Sequence, residues 1–187
     1  NLDGLERKPV IMSVCRYNRV ELAEDMLATG KADMIGMARA HVADPDLVNK
    51  AYSGNVEDTI PCIGCNQGCA DMLAQSLAIS CLTNPRAGKE ADWPAPFLQS
   101  TKVKKPVLVV GGGPAGMEAS GILAERGFSV TLADRNSVLG GALNWLEKMP
   151  MRQEFLQFKK RQMRRLEQHK VNLQLECKVG DDMLELS

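Results

Sequence analysis

The chain has 187 residues, an apolar fraction of 44% and equal numbers of basic and acidic side chains, 23 of each. This length allows one or two domains, and the balanced charge gives no sign of a nucleic-acid partner or a membrane surface. No apolar run approaches the roughly 18 residues that a membrane span requires. We therefore expect neither nucleic acid nor a membrane among the partners.

The first 54 residues predict alternating strands and helices. Residues 9–14 and 32–37 are short apolar runs that predict buried strands, and residues 20–29 have the periodicity of an amphipathic helix. Asp44 is the predicted N-cap of a further helix, with Pro45 at its first helical position. This alternation is typical of a parallel α/β sheet.

Residues 55–91 break this alternation and contain a group of four cysteines with the spacing Cys62-x2-Cys65-x3-Cys69-x11-Cys81. Clustered cysteines in one window indicate a metal or cluster ligand set in a reducing compartment, so we expect the cytoplasm. Three ligands on one tight loop and a fourth further along favour a [4Fe–4S] cluster. Structural zinc, whose ligands usually come as two separated pairs, and free thiols are the alternatives.

The other two cysteines, Cys15 and Cys177, lie at a strand end and within an apolar stretch, and both are expected to be packed thiols. Residues 92–105 are rich in proline and polar side chains, which predicts a linker.

A second α/β unit is predicted over residues 106–187. It begins with a strand at 106–110, followed by a glycine-rich turn, a helix at 117–126 and a second strand at 129–133. This order of elements around a G-x-G-x-x-G motif, with an acid about twenty residues on, predicts dinucleotide binding, and a second glycine pair favours FAD over NAD. The candidate cofactor-binding residues are Gly111, Gly113, Pro114, Ala115, Gly116, Asp134, Arg135 and Gly141.

Within this turn, Gly113 would let the backbone approach the pyrophosphate, Gly116 would let helix and strand pack closely, and Asp134 would accept the ribose hydroxyls. A later helix has a basic face that we expect to be solvated, and residues 171–179 predict a further strand. The basic face consists of Lys159, Lys160, Arg161, Arg164 and Arg165. The side of this helix that we expect to face the core consists of Phe155, Leu156, Met163 and Leu166.

Four segments together resemble one protein family: "KADMIGMARAHVADPDLVNKA", "CIGCNQGC", "CLTNPRAG" and "VLVVGGGPAGMEAS". They are similar to the C-terminal part of the iron–sulfur flavoenzymes related to 2,4-dienoyl-CoA reductase and trimethylamine dehydrogenase. These belong to the NADH:flavin oxidoreductase, or old yellow enzyme, family. The resemblance covers nearly the whole chain.

The resemblance implies an α/β protein in four parts. Residues 1–54 would be the C-terminal end of an FMN-binding (β/α)8 TIM barrel, residues 55–91 the [4Fe–4S] loop and residues 92–105 the linker. Residues 106–187 would be the first part of a Rossmann-like FAD/NAD(P)-binding domain. Because a TIM barrel needs about 250 residues, the chain would be a fragment, inactive alone, with its catalytic proton donor in the missing part.

Barrel phosphate sites commonly lie in the loops after the last strands. The resemblance therefore implies FMN-binding roles for Cys15 and Arg16, after the penultimate strand, and for Ala38 and Arg39, after the last. Backbone amides of Ala38 and Arg39 would contact the phosphate. Ala40 stands where relatives often have proline, and Asp134 replaces the more usual glutamate.

The family's chemistry implies an NAD(P)H-dependent flavin oxidoreductase acting on a small molecule. Electrons would pass from NAD(P)H through FAD and the [4Fe–4S] cluster to FMN, which would reduce an enoyl or enone double bond. The alternative within the family is an amine dehydrogenase or demethylase that hands electrons to a separate electron-transfer partner. An alternative of another class is a non-catalytic electron-transfer or zinc-stapled interaction module.

Overall fold

The structure is a computed structural model that describes residues 9–93 and 105–180. The chain divides into two compact units, Asn1–Lys89 and Glu90–Ser187. Most of the predicted linker, residues 92–105, lies outside the described residues.

The first unit contains a two-stranded parallel sheet and short helices. Strand β1 pairs with β2 in register, with Met12 opposite Met34 and Val14 opposite Gly36. Helix α1 begins at the predicted residue and ends one residue earlier than predicted, and the helices after β2 lead into the cysteine loop. The elements are β1 (Met12–Val14), α1 (Val20–Ala28), β2 (Met34–Gly36), α2 (Ala38–Ala43), α3 (Leu47–Tyr52), a 3-10 turn (Val56–Asp58) and α4 (Ala70–Ala74).

The prediction that both strands of this unit are buried is wrong. Met12 is 58% exposed, Val14 60% and Met34 50%. Continuous apolar strands are buried when other elements cover both faces of their sheet. Within residues 9–93, the sheet has two strands, and each pairs only with the other.

The prediction that Asp44 caps the helix that follows it is wrong, because Asp46 is the N-cap of that helix. Asp44 is buried between the two helices instead. It ends α2, and α3 begins only at Leu47. Its carboxylate accepts hydrogen bonds from Lys50 Nζ at 2.6 Å and from the backbone N–H of Ile60 at 2.8 Å. Asp44 thereby ties the entry of the cysteine loop to α3.

The second unit contains a three-stranded parallel sheet in the order β3-β4-β5. Met117, Leu132 and Leu166 are among its fully buried side chains and form the centre of the core between sheet and helices. The elements are β3 (Pro106–Val110), α5 (Pro114–Glu125), β4 (Ser129–Ala133), α6 (Leu143–Leu146), α7 (Gln153–Gln168) and β5 (Asn172–Gln174).

Strands β3 and β4 occupy the predicted residues, whereas α5 begins three residues earlier than predicted, at Pro114. Proline suits the first turn of a helix because its missing N–H would have no partner there. The predicted strand at 171–179 is shorter and covers only Asn172–Gln174.

The prediction that the basic face of α7 is solvated is wrong at Arg165, which is buried. Its Nε donates to Glu125 Oε1 at 2.5 Å, and its Nη1 donates to Glu118 Oε1 at 2.8 Å. Burial alone would lower the pKa of Arg165, but the two carboxylates raise it above its ordinary value. Arg165 therefore joins α7 to α5, while Met163, a predicted core residue, is 43% exposed.

Among the described residues, no helix combines the length and the apolar composition that crossing a bilayer requires.

We predict that Arg165→Met destabilises the second unit by about 1–3 kcal/mol, because Glu118 and Glu125 lose their shared cation while remaining partly buried. Urea unfolding followed by circular dichroism measures the change. Lys160→Met is the control, since Lys160 is exposed on the same helix. Equal unfolding midpoints for the two variants would contradict the role assigned to Arg165.

Candidate functional site

A cavity of about 170 Å³ lies in the first unit, where β1 and β2 end. The carboxyl ends of neighbouring parallel strands meet at one edge of a sheet, where ligand sites of α/β proteins commonly lie. The four residues that the resemblance predicts to bind FMN all line this cavity, namely Cys15, Arg16, Ala38 and Arg39. The cavity is lined by Val14, Cys15, Arg16, Tyr17, Asn18, Gly36, Met37, Ala38, Arg39, Ala40 and Cys62.

The chain leaves β1 through a strained turn. Cys15 and Arg16 have φ angles of 96° and 54°, in the left-handed region that residues with a side chain seldom adopt. A hydrogen bond of 2.7 Å between the hydroxyls of Ser13 and Tyr17 spans this turn. The thiol of Cys15 is exposed, so the prediction that it is packed is wrong.

The cysteine loop is closed by a contact between Gly68 and Ser80. The backbone N–H of Ser80 donates to the carbonyl of Gly68 at 2.5 Å. A Cβ on Gly68 would lie 2.6 Å from the Ser80 carbonyl oxygen, so the approach requires glycine. Because Cys69 and Cys81 directly follow these two residues, the contact brings their stretches of backbone close to each other.

The thiol of Cys62 lies close to this pair. Burial raises its pKa most, while a hydrogen bond from the Gly64 backbone and the charge of Arg39 oppose the rise. The charges of Cys81 and Cys69 raise the pKa of Cys62 further.

All four cysteines of the loop are free of disulfides and half-buried. A set of four sulfur donors suits an iron–sulfur cluster and structural zinc alike. In residues 9–93 and 105–180, no three His, Cys, Asp or Glu side chains are placed to hold a metal ion.

Two polar residues that sequence reasoning missed support the fourth cysteine. The hydroxyl of Thr83 lies 3.3 Å from Cys81 Sγ and donates to the carbonyl of Pro61 at 3.2 Å. The side-chain amide of Asn84 donates to the Val42 carbonyl at 3.1 Å. Both residues are buried. Thr83 fastens the Cys81 segment to the start of the loop, and Asn84 fastens it to α2. The Thr-Asn-Pro sequence after Cys81, typical of a turn, was the available signal.

The two arginines of the cavity also contact the cysteine loop, which the sequence did not predict. Arg39 Nη1 donates to Asn66 Oδ1 at 2.6 Å. The Arg16 guanidinium lies so close to Gly64 that a Cβ there would be 3.3 Å from Nη2. Cavity and cysteine loop are therefore adjoining parts of one site.

The second unit presents the predicted glycine-rich turn between β3 and α5. A Cβ on Gly116 would overlap sterically with the Gly111 carbonyl oxygen, so this close helix–strand approach requires glycine. A Cβ on Gly113 would meet nothing within 4 Å, which leaves open space in front of the turn. The N–H groups of the first turn of α5 have no acceptor within the helix and suit a phosphate.

Asp134, predicted to bind a ribose, holds this turn through its buried carboxylate. Oδ2 accepts from the Gly112 N–H at 2.5 Å, and Oδ1 accepts from the backbone N–H of Asn136 at 2.7 Å. The hydrogen bond from the Asn136 backbone lowers the pKa of Asp134 most, and the one from Gly112 lowers it further, although burial opposes both. The carboxylate is therefore ionised, and its ribose contact stays a prediction.

The second glycine pair packs against the first turn. Gly140 N–H donates to the Gly112 carbonyl at 2.8 Å, and a Cβ on Gly141 would lie 3.1 Å from Gly113 Cα. The remaining predicted residues of this unit are exposed at the start of α5 and after β4, namely Pro114, Ala115 and Arg135.

Known proteins share both units. Residues 106–170 match the family of FAD dependent oxidoreductases. The chain is 44% identical over 148 residues to a metal reductase of Desulforamulus reducens, covering 78% of this chain and 21% of that protein. It is 38% identical over 131 residues to a cinnamate reductase of Clostridium sporogenes, covering 70% of this chain and 19% of that protein.

A solved structure of 2-naphthoyl-CoA reductase superposes on the chain with a TM-score of 0.88 at 32% identity, covering 96% of this chain and 27% of that chain. The mixed α/β architecture with parallel sheets is thus similar to that of the corresponding part of this reductase. The chain spans about a fifth of the length of the two curated relatives.

On the expectation from the sequence that the four cysteines hold a [4Fe–4S] cluster, we predict that Gly68→Ala lowers the iron bound per chain after anaerobic reconstitution, because the added methyl group forces the Gly68 and Ser80 backbones apart. Gly54→Ala is the control for backbone strain without a steric clash, since Gly54 has a φ of 74° and its Cβ would meet nothing within 4 Å. Metal analysis of both variants measures the effect. Full iron content in Gly68→Ala would show that the Gly68–Ser80 contact does not position the ligands.

Proposed function

We propose that this chain is the part of an NAD(P)H-dependent oxidoreductase that binds its electron-transfer cofactors. The chain belongs to the flavin-dependent oxidoreductase family that includes cinnamate reductase and dimethylamine dehydrogenase. In this proposal the cavity of the first unit holds the FMN phosphate. Cys62, Cys65, Cys69 and Cys81 hold a [4Fe–4S] cluster, and the glycine-rich turn of the second unit holds FAD.

When bound, these groups would supply electron transfer from NAD(P)H through FAD and the cluster to FMN, and from FMN to the substrate. The protein's part is to fix the position of each group and the charges around it.

One observation carries the proposal: Cys62 belongs to both halves of the site. It is the first cysteine of the proposed ligand set and also lines the cavity beside Arg16 and Arg39. A cluster on this loop would therefore lie beside whatever fills the cavity. Such proximity is what electron transfer between two groups requires, and a zinc staple would have no need of it.

In the cavity, Arg16 and Arg39 supply the positive charge that a phosphate dianion needs. Guanidinium groups bind phosphate through charge-assisted hydrogen bonds, which are stronger than neutral ones. Ala38 adds a backbone N–H at the same edge. The left-handed turn at Cys15 and Arg16 sets the direction in which the Arg16 side chain leaves β1.

In the second unit, the turn at Gly113 leaves room for a pyrophosphate in front of α5. The unpaired N–H groups of the helix N-terminus, including those of Ala115 and Gly116, would bind its oxygens. Asp134 holds Gly112 and so keeps the turn in shape, and Arg135 and Gly141 lie beside the same space.

The favoured reaction is reduction of a small enoyl or enone substrate, because cinnamate, the substrate named for one relative, is an unsaturated acid. The second candidate, amine dehydrogenation with a separate electron acceptor, is favoured by the similarity to dimethylamine dehydrogenase, 37% identical over 145 residues. We assign no catalytic proton donor to this chain. We place the enzyme in the cytoplasm, where reducing conditions keep thiols free.

We predict that replacing any one of Cys62, Cys65, Cys69 or Cys81 by serine removes most iron and acid-labile sulfide from the full-length protein, because the cluster loses a thiolate ligand. Cys177→Ser, outside the loop, is the control and should retain both. Chemical analysis of iron, zinc and sulfide after anaerobic purification measures the result. Stoichiometric zinc without sulfide in the unchanged protein would favour the zinc-stapled module instead.

We predict that Gly113→Ala leaves the fold intact and weakens FAD binding by about tenfold or more, because its methyl group enters the space reserved for the pyrophosphate. Gly116→Ala is the comparison and should perturb the fold, since its methyl group meets the Gly111 carbonyl. Flavin extraction and circular dichroism measure the two effects. Unchanged FAD content in Gly113→Ala would argue against this site.

A further inference from the structure

Arg39 reaches from the cavity to the cysteine loop. It lies at the start of α2, directly after β2, and lines the cavity beside Cys62. Its Nη1 donates to the side-chain oxygen of Asn66 at 2.6 Å. The donor is a charged guanidinium, and hydrogen bonds with one charged partner are shorter and stronger than neutral ones.

Asn66 is a fixed acceptor. It lies between Cys65 and Cys69, and its φ of 61° is in the left-handed region, which asparagine tolerates better than most residues. Its carbonyl accepts a hydrogen bond from the backbone N–H of Asp71 at 3.0 Å, in the first turn of α4. The backbone of Asn66 is therefore held independently of its contact with Arg39.

An arginine that must become ordered when a ligand binds loses side-chain entropy, which weakens binding. Asn66 holds Arg39 in one conformation and thereby removes part of that loss. Asn66 is not among the residues that line the cavity.

We propose that Asn66 is a positioning residue for phosphate binding: through Arg39, it couples the cysteine loop to the anion held in the cavity. This inference rests on the proposed function, in which that anion is the FMN phosphate. Affinity for FMN then depends on the shape of the cysteine loop, and by linkage the dependence is reciprocal.

The test measures FMN and riboflavin affinity by fluorescence titration of the flavin-depleted full-length protein. Asn66→Gly removes the acceptor but permits the same left-handed backbone, and it should weaken FMN binding by about threefold to tenfold. Riboflavin, which has no phosphate, should bind the variant as it binds the unchanged protein. The neighbouring control Gln67→Ala, which leaves the Arg39–Asn66 hydrogen bond in place, should retain the FMN affinity.

A double-mutant cycle with Arg39→Gln completes the experiment. If Asn66 acts through Arg39, adding Asn66→Gly to Arg39→Gln weakens FMN binding no further. Additive losses, equal losses for riboflavin, or full FMN affinity in Asn66→Gly would each overturn the inference while leaving the proposed function standing. Failure of the unchanged full-length protein to bind FMN would overturn both.

Discussion

The close approach of Gly68 to Ser80 is the contact on which the candidate site depends. Cys69 and Cys81 are separated by eleven residues, and a backbone hydrogen bond between the residues preceding them brings the two stretches of backbone together. The missing Cβ of Gly68 makes this approach sterically possible. Thr83 also holds the segment after Cys81 against Pro61, so that protein contacts alone close the loop.

The cavity is likewise formed by short-range contacts between the strand ends and the cysteine loop. Two parallel strands end at one edge, and the turn after β1 and the helix after β2 direct Arg16 and Arg39 toward the cysteine loop. Because both arginines contact that loop, an anion in the cavity and a metal on the cysteines would share the same positive charges. The second unit holds its glycine-rich turn by a different device, the buried and ionised carboxylate of Asp134.

The sequence predicted what depends on local pattern. Spacing placed the glycine-rich turn correctly between a strand and a helix and singled out four cysteines as candidate ligands. The resemblance to the flavin oxidoreductase family is confirmed by the relatives of this chain. It failed where a residue's role is set by a distant partner. Arg165 belongs to a basic helical pattern, but it is buried and pairs with two carboxylates that lie 40 and 47 positions away in the sequence. The bond between Arg39 and Asn66 joins residues 27 positions apart and has no local signature.

The central claim is that the cysteine loop holds a redox-active iron–sulfur cluster beside the cavity. Electron paramagnetic resonance of the anaerobically purified full-length protein, recorded before and after reduction with dithionite, tests it most directly. The account predicts no cluster signal in the oxidised protein and the signal of a reduced [4Fe–4S] cluster, near one spin per chain, after reduction. A correctly folded protein that remains silent on reduction and contains zinc in place of iron would contradict it.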